Sequence, residues 1–169
     1  MLPHHTSMHS MRLSKEMPAS AEDVWEVLDD FENLQRYSPK NTTATLMEGP
    51  ETGIGATRET TLADGTRIVH EIIEYEPEER YTIDFTNVNE LDDPMKKLQI
   101  EFAVSEIDDD RSEVTMTAFY TPKWGPLGWV LGKTLMKRKI QEPIDDTLTG
   151  LKKHLETGET IDKEDIEGG

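Results

Sequence analysis

Residues 96–121 read KKLQIEFAVSEIDDDRSEVTMTAFYT. Leu98, Ile100, Phe102 and Val104 alternate with Gln99, Glu101 and Ser105. After Asp108-Asp109-Asp110 the rhythm resumes in Val114, Met116, Ala118 and Tyr120. A period of two sends successive side chains to opposite faces of a strand. The stretch therefore reads as two strands joined by an acidic turn, dry on one face and wet on the other.

The same period extends toward the N-terminus. Strands are expected near 42–48, 53–63, 66–76 and 80–88, where Tyr81, Ile83 and Phe85 alternate, with a weaker first strand over 11–17. Gly49-Pro50, Asp64-Gly65, Pro77-Glu78-Glu79 and Asp92-Asp93-Pro94 punctuate them, and such short connections make an antiparallel meander. Between the first two strands, Ser20 is placed to cap a helix over about 21–31, with Glu22 and Asp23 in its first turn and Val24, Trp25, Val27, Leu28 and Phe31 on one face. A second short helix, ENLQRY, ends before Ser38-Pro39.

A long C-terminal helix is expected after Pro126. Met136, Ile140, Ile144, Leu148, Leu151 and Leu155 fall three or four apart and form one apolar stripe. Pro143 lies inside that pattern, so a kink is expected there. The fold class is α+β: a curved antiparallel sheet of about seven strands wrapped on the long helix, with two short helices after the first strand. Residues 1–10, with His4, His5 and His9, are expected to be a flexible leader, 11–157 the domain, and 158–169 a disordered acidic tail.

Composition narrows the function. Among 169 residues, 35 are acidic and 18 basic, a formal net charge of −17. That sign repels phosphate backbones, so no nucleic-acid partner is expected. It suits solubility, with adaptation to a salt-rich interior as the alternative. The absence of cysteine removes disulfide and thiolate chemistry. No run of apolar residues is long enough to span a membrane, and the first residues lack the features of a signal peptide, so the expected location is cytoplasmic. Phosphate-loop, dinucleotide, zinc-protease and serine-elbow motifs are missing, the carboxylate runs lack calcium-loop spacing, and no metal or cofactor is expected.

Several segments together carry a resemblance. They are Pro18-Ala19-Ser20-Ala21-Glu22-Asp23-Val24-Trp25, the Asp29 to Tyr37-Ser38-Pro39 segment, Glu71-Ile72-Ile73-Glu74-Tyr75-Glu76-Pro77, and residues 120–129, YTPKWGPLGW. In this order and spacing the chain, from Met11 to Glu156, resembles the START-like (SRPBCC, helix-grip) superfamily, in its polyketide cyclase/dehydrase and lipid-transport branch. The resemblance implies an apolar cavity between sheet and long helix, used by some members to carry lipids and by others for aromatic cyclisation. It implies no shared catalytic set.

The residues themselves suggest where such a cavity would carry polar groups. If Asp64-Gly65 is a two-residue hairpin loop, positions summing to 129 face each other. Arg58 then stands opposite Glu71 in a largely dry row that includes Tyr75, and the pair could orient a ligand's polar head. The competing reading is a wet cross-strand pair at the cavity mouth or a register altered by a bulge. By the same pairing His70 points outward beside Glu59, so proton transfer by His70 requires a different register. Phe85, Phe102, Met116, Tyr120, Trp124, Trp129 and Met136 are candidate cavity lining, with plain core packing as the alternative for each. Gly128 and Gly132 would let the helix approach the sheet closely or leave room for a guest. Lys133, Lys137, Arg138 and Lys139 read as a solvated face, or else as a patch for transient membrane contact.

The expected function is binding or transport of a hydrophobic small molecule (lipid, quinone or polyketide-like). The alternatives are a cyclase/dehydratase-like enzyme with Glu71, Arg58 or His70 as candidate catalytic groups, and a module docking to a membrane or protein through the basic patch. Oligomeric state has no signal in the sequence.

Overall fold

The computed structural model describes residues 9–38, 40–91, 95–123 and 137–167. Strand β1 (His9–Met17) leads into helix α1 (Ala21–Asp29) and a 3-10 turn (Phe31–Arg36). Strands β2 (Asn41–Leu46), β3 (Thr57–Leu62), β4 (Arg67–Glu76), β5 (Arg80–Phe85), β6 (Met95–Asp108) and β7 (Arg111–Pro122) follow. A π-type turn (Lys137–Gln141), helix α2 (Glu142–Thr157) and a short helix α3 (Lys163–Glu167) complete the described chain. The strands make one antiparallel sheet in the order β1-β7-β6-β5-β4-β3-β2. The antiparallel meander is the one expected from the alternating pattern, and with the C-terminal helix it makes the helix-grip arrangement that the resemblance implies.

The 96–121 stretch forms the sheet's longest pairing. Ile100 faces Ala118, Phe102 faces Met116 and Val104 faces Val114. The pairing closes at Asp108 and Arg111, whose guanidinium is 2.9 Å from the Asp108 carboxylate. Register shifts in β6, and another in β4 between Ile72 and Glu74, insert extra residues that bend the sheet. The β4 shift brings Tyr75 opposite Tyr81.

At α1, the Ser20 hydroxyl accepts the Asp23 backbone N–H at 3.1 Å, a side-chain cap of the expected kind. Val24, Trp25 and Leu28 are buried beneath it. In α2 the stripe Ile144, Leu148 and Leu151 is buried, continued by Ile140 in the π-type turn. The expected kink takes a particular form: helical winding changes from π-type to α at Glu142, and Pro143 is the second residue of the α segment. Proline cannot donate to a carbonyl one turn back, so a change of winding beside it costs few hydrogen bonds. The expected first turns of this helix, with Gly128, Gly132 and Met136, lie outside the described residues, as do Trp124 and Trp129.

Helix α2 runs close to β1 on one side and to the 3-10 turn region on the other. At Gly150 an added Cβ would overlap the carbonyl oxygen of Tyr37, so only a glycine allows this approach. The described residues at either end, 9–10 and 158–167, depart from expectation. Strand β1 already includes His9 and Ser10, which pair with Tyr120 and Phe119. Beyond α2, the segment expected to be a disordered tail turns back: Ile161 is buried, and its backbone N–H bonds the Arg36 carbonyl at 2.9 Å. One apolar side chain with a site to fill outweighs the acidic composition around it.

The hairpin between β3 and β4 also differs by one residue. Thr61 pairs with Arg67, and Leu62 N–H bonds the Thr66 carbonyl at 2.8 Å. The loop is therefore three residues long, Ala63-Asp64-Gly65, with Gly65 at φ +90°. A turn followed by a glycine with positive φ is the common three-residue hairpin, and it shifts the pairing sum from 129 to 128.

Candidate functional site

That single-residue shift decides which side chains meet. Ala56, just before β3, and Arg58 and Thr60 on it face the core as expected, but on β4 the buried residues are His70 and Ile72. Glu71, on the opposite face and paired across the sheet with Thr57 and Asp84, is no partner of Arg58. A slip of one residue exchanges the two faces of a strand, because side chains alternate with period two. The expected Arg58–Glu71 pair is therefore replaced by Arg58 and His70.

A cavity of about 470 Å³ lies between this face of the sheet and the π-type turn with the start of α2. Its walls are mostly apolar: Ile68, Ile83, Phe85, Leu98, Ile100, Phe102 and Met116 from the sheet, Leu34 from the 3-10 turn, Ile140, Pro143 and Ile144 from the helical side. The volume falls within the range of roughly 300–1,000 Å³ seen for small-molecule sites.

Arg58 and His70 are both buried in the cavity wall, at 1% and 4% exposure. Arg58 Nε donates to His70 Nδ1 at 3.0 Å, and one terminal nitrogen donates to the Phe31 carbonyl at 2.8 Å. The guanidinium carbon stands 3.9 Å from the centre of the Phe31 ring. Among the described residues it has no ion pair, so hydrogen bonds and an aromatic face alone offset the loss of hydration. Such burial costs an ion several kcal/mol. Burial accordingly lowers the Arg58 pKa, while the nearby hydroxyls of Tyr81 and Tyr37 act in the opposite direction.

The same geometry fixes the state of His70. Arginine only donates, so Nδ1 must accept, and the neutral ring carries its proton on Nε2. Burial, reinforced by the Arg58 charge, holds its pKa well below 6.5. Nε2 is buried and, among the described residues, has no hydrogen-bond partner. The His70 ring packs on Phe85, with centroids 4.4 Å apart. Behind Arg58, Phe31, Tyr81 and Phe102 form an aromatic wall, with Tyr81 centred 6.1 Å from Phe31 and 5.2 Å from Phe102. Tyr81 donates to the Leu28 carbonyl at 3.2 Å, tying that wall to α1.

The remaining sequence-derived candidates separate cleanly. Phe85, Phe102 and Met116 line the cavity with Arg58 and His70; Glu71, Tyr75 and Tyr120 do not. Tyr75 instead donates to the Asp29 carboxylate at 2.8 Å and packs 5.8 Å from Trp25, fastening β4 to the end of α1. Tyr120 is buried in β7, its ring centred 5.7 Å from that of His9. Sequence reading did not name Ile83, Leu98 and Ile100 as lining, although the alternation that marked Phe85 and Phe102 runs through all three. Leu34, Val88 and Leu91 also line the space, from turns where no period signals an inward face. Arg138 and Lys139 are exposed, as a solvated face requires, yet they also border the cavity together with Lys40. Among the described residues no group of three or more His, Asp or Glu side chains could hold a metal ion.

Comparison with solved structures gives the same fold. The protein XoxI from Bacillus cereus superposes with a TM-score of 0.71 at 21% identity, covering 89% of this chain and 97% of that one. The ZhuI aromatase/cyclase from a Streptomyces species gives 0.69 at 13% identity, covering 88% and 94%. Norcoclaurine synthase from Thalictrum flavum, in complex with dopamine and hydroxybenzaldehyde, gives 0.64 at 16% identity, covering 90% and 91%. At these identities the likeness concerns the fold alone. No curated protein matches the chain by sequence. Residues 8–156 match the polyketide cyclase / dehydrase and lipid transport family, and the chain belongs to it.

Proposed function

We propose that this chain binds a hydrophobic small molecule of lipid, quinone or polyketide-like character in the cavity between the sheet and α2. The observation that carries this reading is the cavity: about 470 Å³, walled mainly by aliphatic and aromatic side chains, with Arg58 and His70 as buried polar groups in its wall. An apolar enclosure supplies affinity through burial, and a few fixed polar groups supply orientation. Family membership supports the same class of ligand.

A second reading has its own observation. A buried guanidinium without an ion pair can stabilise negative charge developing on a carbonyl oxygen, as an enolate-forming cyclase or dehydratase needs. In that reading Arg58 is the electrostatic group, and His70, held neutral, serves as a hydrogen-bond donor rather than a proton acceptor.

Native mass spectrometry of the purified chain, with organic extraction of bound material, tests the first reading. One apolar adduct per chain is expected, or saturable uptake of the neutral dye N-phenyl-1-naphthylamine. A chain that carries no adduct and takes up no dye would sink it. Turnover of a poly-β-keto thioester, lost in Arg58→Met, would shift the assignment to the enzyme.

A further inference from the structure

We infer that the molecule taken by this cavity is an amphipathic anion: an apolar body bearing a single carboxylate-type oxygen, with Arg58 as its counter-charge. This rests on the reading that the cavity binds a hydrophobic small molecule, and adds the sign and number of its charges.

The chain as a whole carries a net charge of −17. The described residues that line the cavity have the opposite balance: four cations, Lys40, Arg58, Arg138 and Lys139, against one carboxylate, Asp146. That carboxylate is already engaged, 3.5 Å from Lys40. A cationic lining within an acidic molecule favours an anionic ligand at this opening.

The buried part of the wall points the same way. Every neighbour of Arg58 described above is neutral: the Phe31 carbonyl, the Phe31 ring, His70 Nδ1 and the hydroxyls of Tyr37 and Tyr81. Because that bond places the imidazole proton on Nε2, His70 adds a donor N–H, and among the described residues this nitrogen lacks a partner. A cation with neutral neighbours and an unmet donor beside it are complementary to an anionic oxygen, and a ligand ammonium would find only repulsion. Apart from the Ser38 hydroxyl, the rest of the buried wall is apolar, so a second ligand charge held at that depth would be left without a counter-charge. Arg138 and Lys139 are exposed at the border, where they can guide an anion inward without being buried by it.

Isothermal titration of the full chain near neutral pH with dodecanoate, dodecanol and dodecylamine tests this directly. Dodecanoate should bind about tenfold or more tightly than dodecanol, the usual gain when a hydrogen bond involves a charged group, and dodecylamine should bind weakest. In Arg58→Met the ratio of dodecanoate to dodecanol affinity should fall to about one. If that variant does not fold, Arg138→Gln combined with Lys139→Gln, both at exposed positions, should slow dodecanoate association and flatten its salt dependence. Dodecanol binding as tightly as dodecanoate overturns the anion assignment and leaves the cavity reading standing. Failure of all three probes to bind, with no apolar adduct on the purified chain, overturns both.

Discussion

The buried imidazole of His70 couples the stability of this protein to pH in a way that can be worked through. In the folded chain, Arg58 Nε occupies Nδ1, Phe85 packs at a tilt against the ring, and burial together with the Arg58 charge holds the pKa well below 6.5. In the unfolded chain the ring is hydrated and titrates near 6.5. Below that value the unfolded state binds one proton more than the folded state, so acid favours unfolding. Stability from this group is complete above 6.5 and declines as the pH falls from there toward the depressed folded value. The slope approaches about 1.4 kcal/mol per pH unit, one proton's worth. Against a total of roughly 5–15 kcal/mol for a domain, this is a large effect. His70→Gln removes the titration while keeping an oxygen that can accept from Arg58. Urea unfolding of both proteins, at intervals between about pH 7.5 and pH 5, isolates the effect, because every other titrating group is common to the two. The difference in free energy between wild type and variant should be constant above 6.5. Below 6.5 it should move against the wild type. Parallel profiles across the whole range would show that His70 is protonated as readily in the folded state, and the Nδ1-acceptor assignment would be wrong.

Two further outcomes follow from the packing and the register. Gly150→Ala should destabilise the protein by at least about 1 kcal/mol in urea unfolding, although alanine is the better helix former by about that amount, because the new methyl overlaps the Tyr37 backbone carbonyl; a stabilised variant would mean that α2 does not lie this close to Tyr37. Glu71→Gln, on the face of β4 away from the cavity, should leave stability within about 0.5 kcal/mol of wild type and dye or dodecanoate binding unchanged; loss of binding would restore the two-residue hairpin and the Arg58–Glu71 pair.

The amino-acid sequence alone determined the architecture, because the features that define it are periodic and local. Leu98 to Val104 and Val114 to Tyr120 alternate without interruption, and β6 and β7 pair as that alternation requires. Ser20 caps α1, and Ile140, Ile144, Leu148 and Leu151 make the buried stripe of the C-terminal helix. The inward set Phe85, Phe102 and Met116 follows from the same period.

The polar part of the site was decided only in three dimensions. Whether Asp64-Gly65 closes a loop of two residues or of three depends on a backbone choice at Gly65 that both lengths permit, and that choice sends either Glu71 or His70 to Arg58. The β4 bulge is equally silent in the sequence, yet it turns Tyr75 toward Asp29 and the end of α1. Ile161 gave no sign that it would be buried, since its burial depends on surfaces assembled from distant segments. The cationic border of the cavity could not be seen either: Lys40 and Arg138 are 98 positions apart, and only the approach of the helix to the sheet brings them to one opening. A period reports which face a side chain takes within its own element. Which faces meet is set by turn geometry and by packing between elements, and there the chemistry of this protein is assembled.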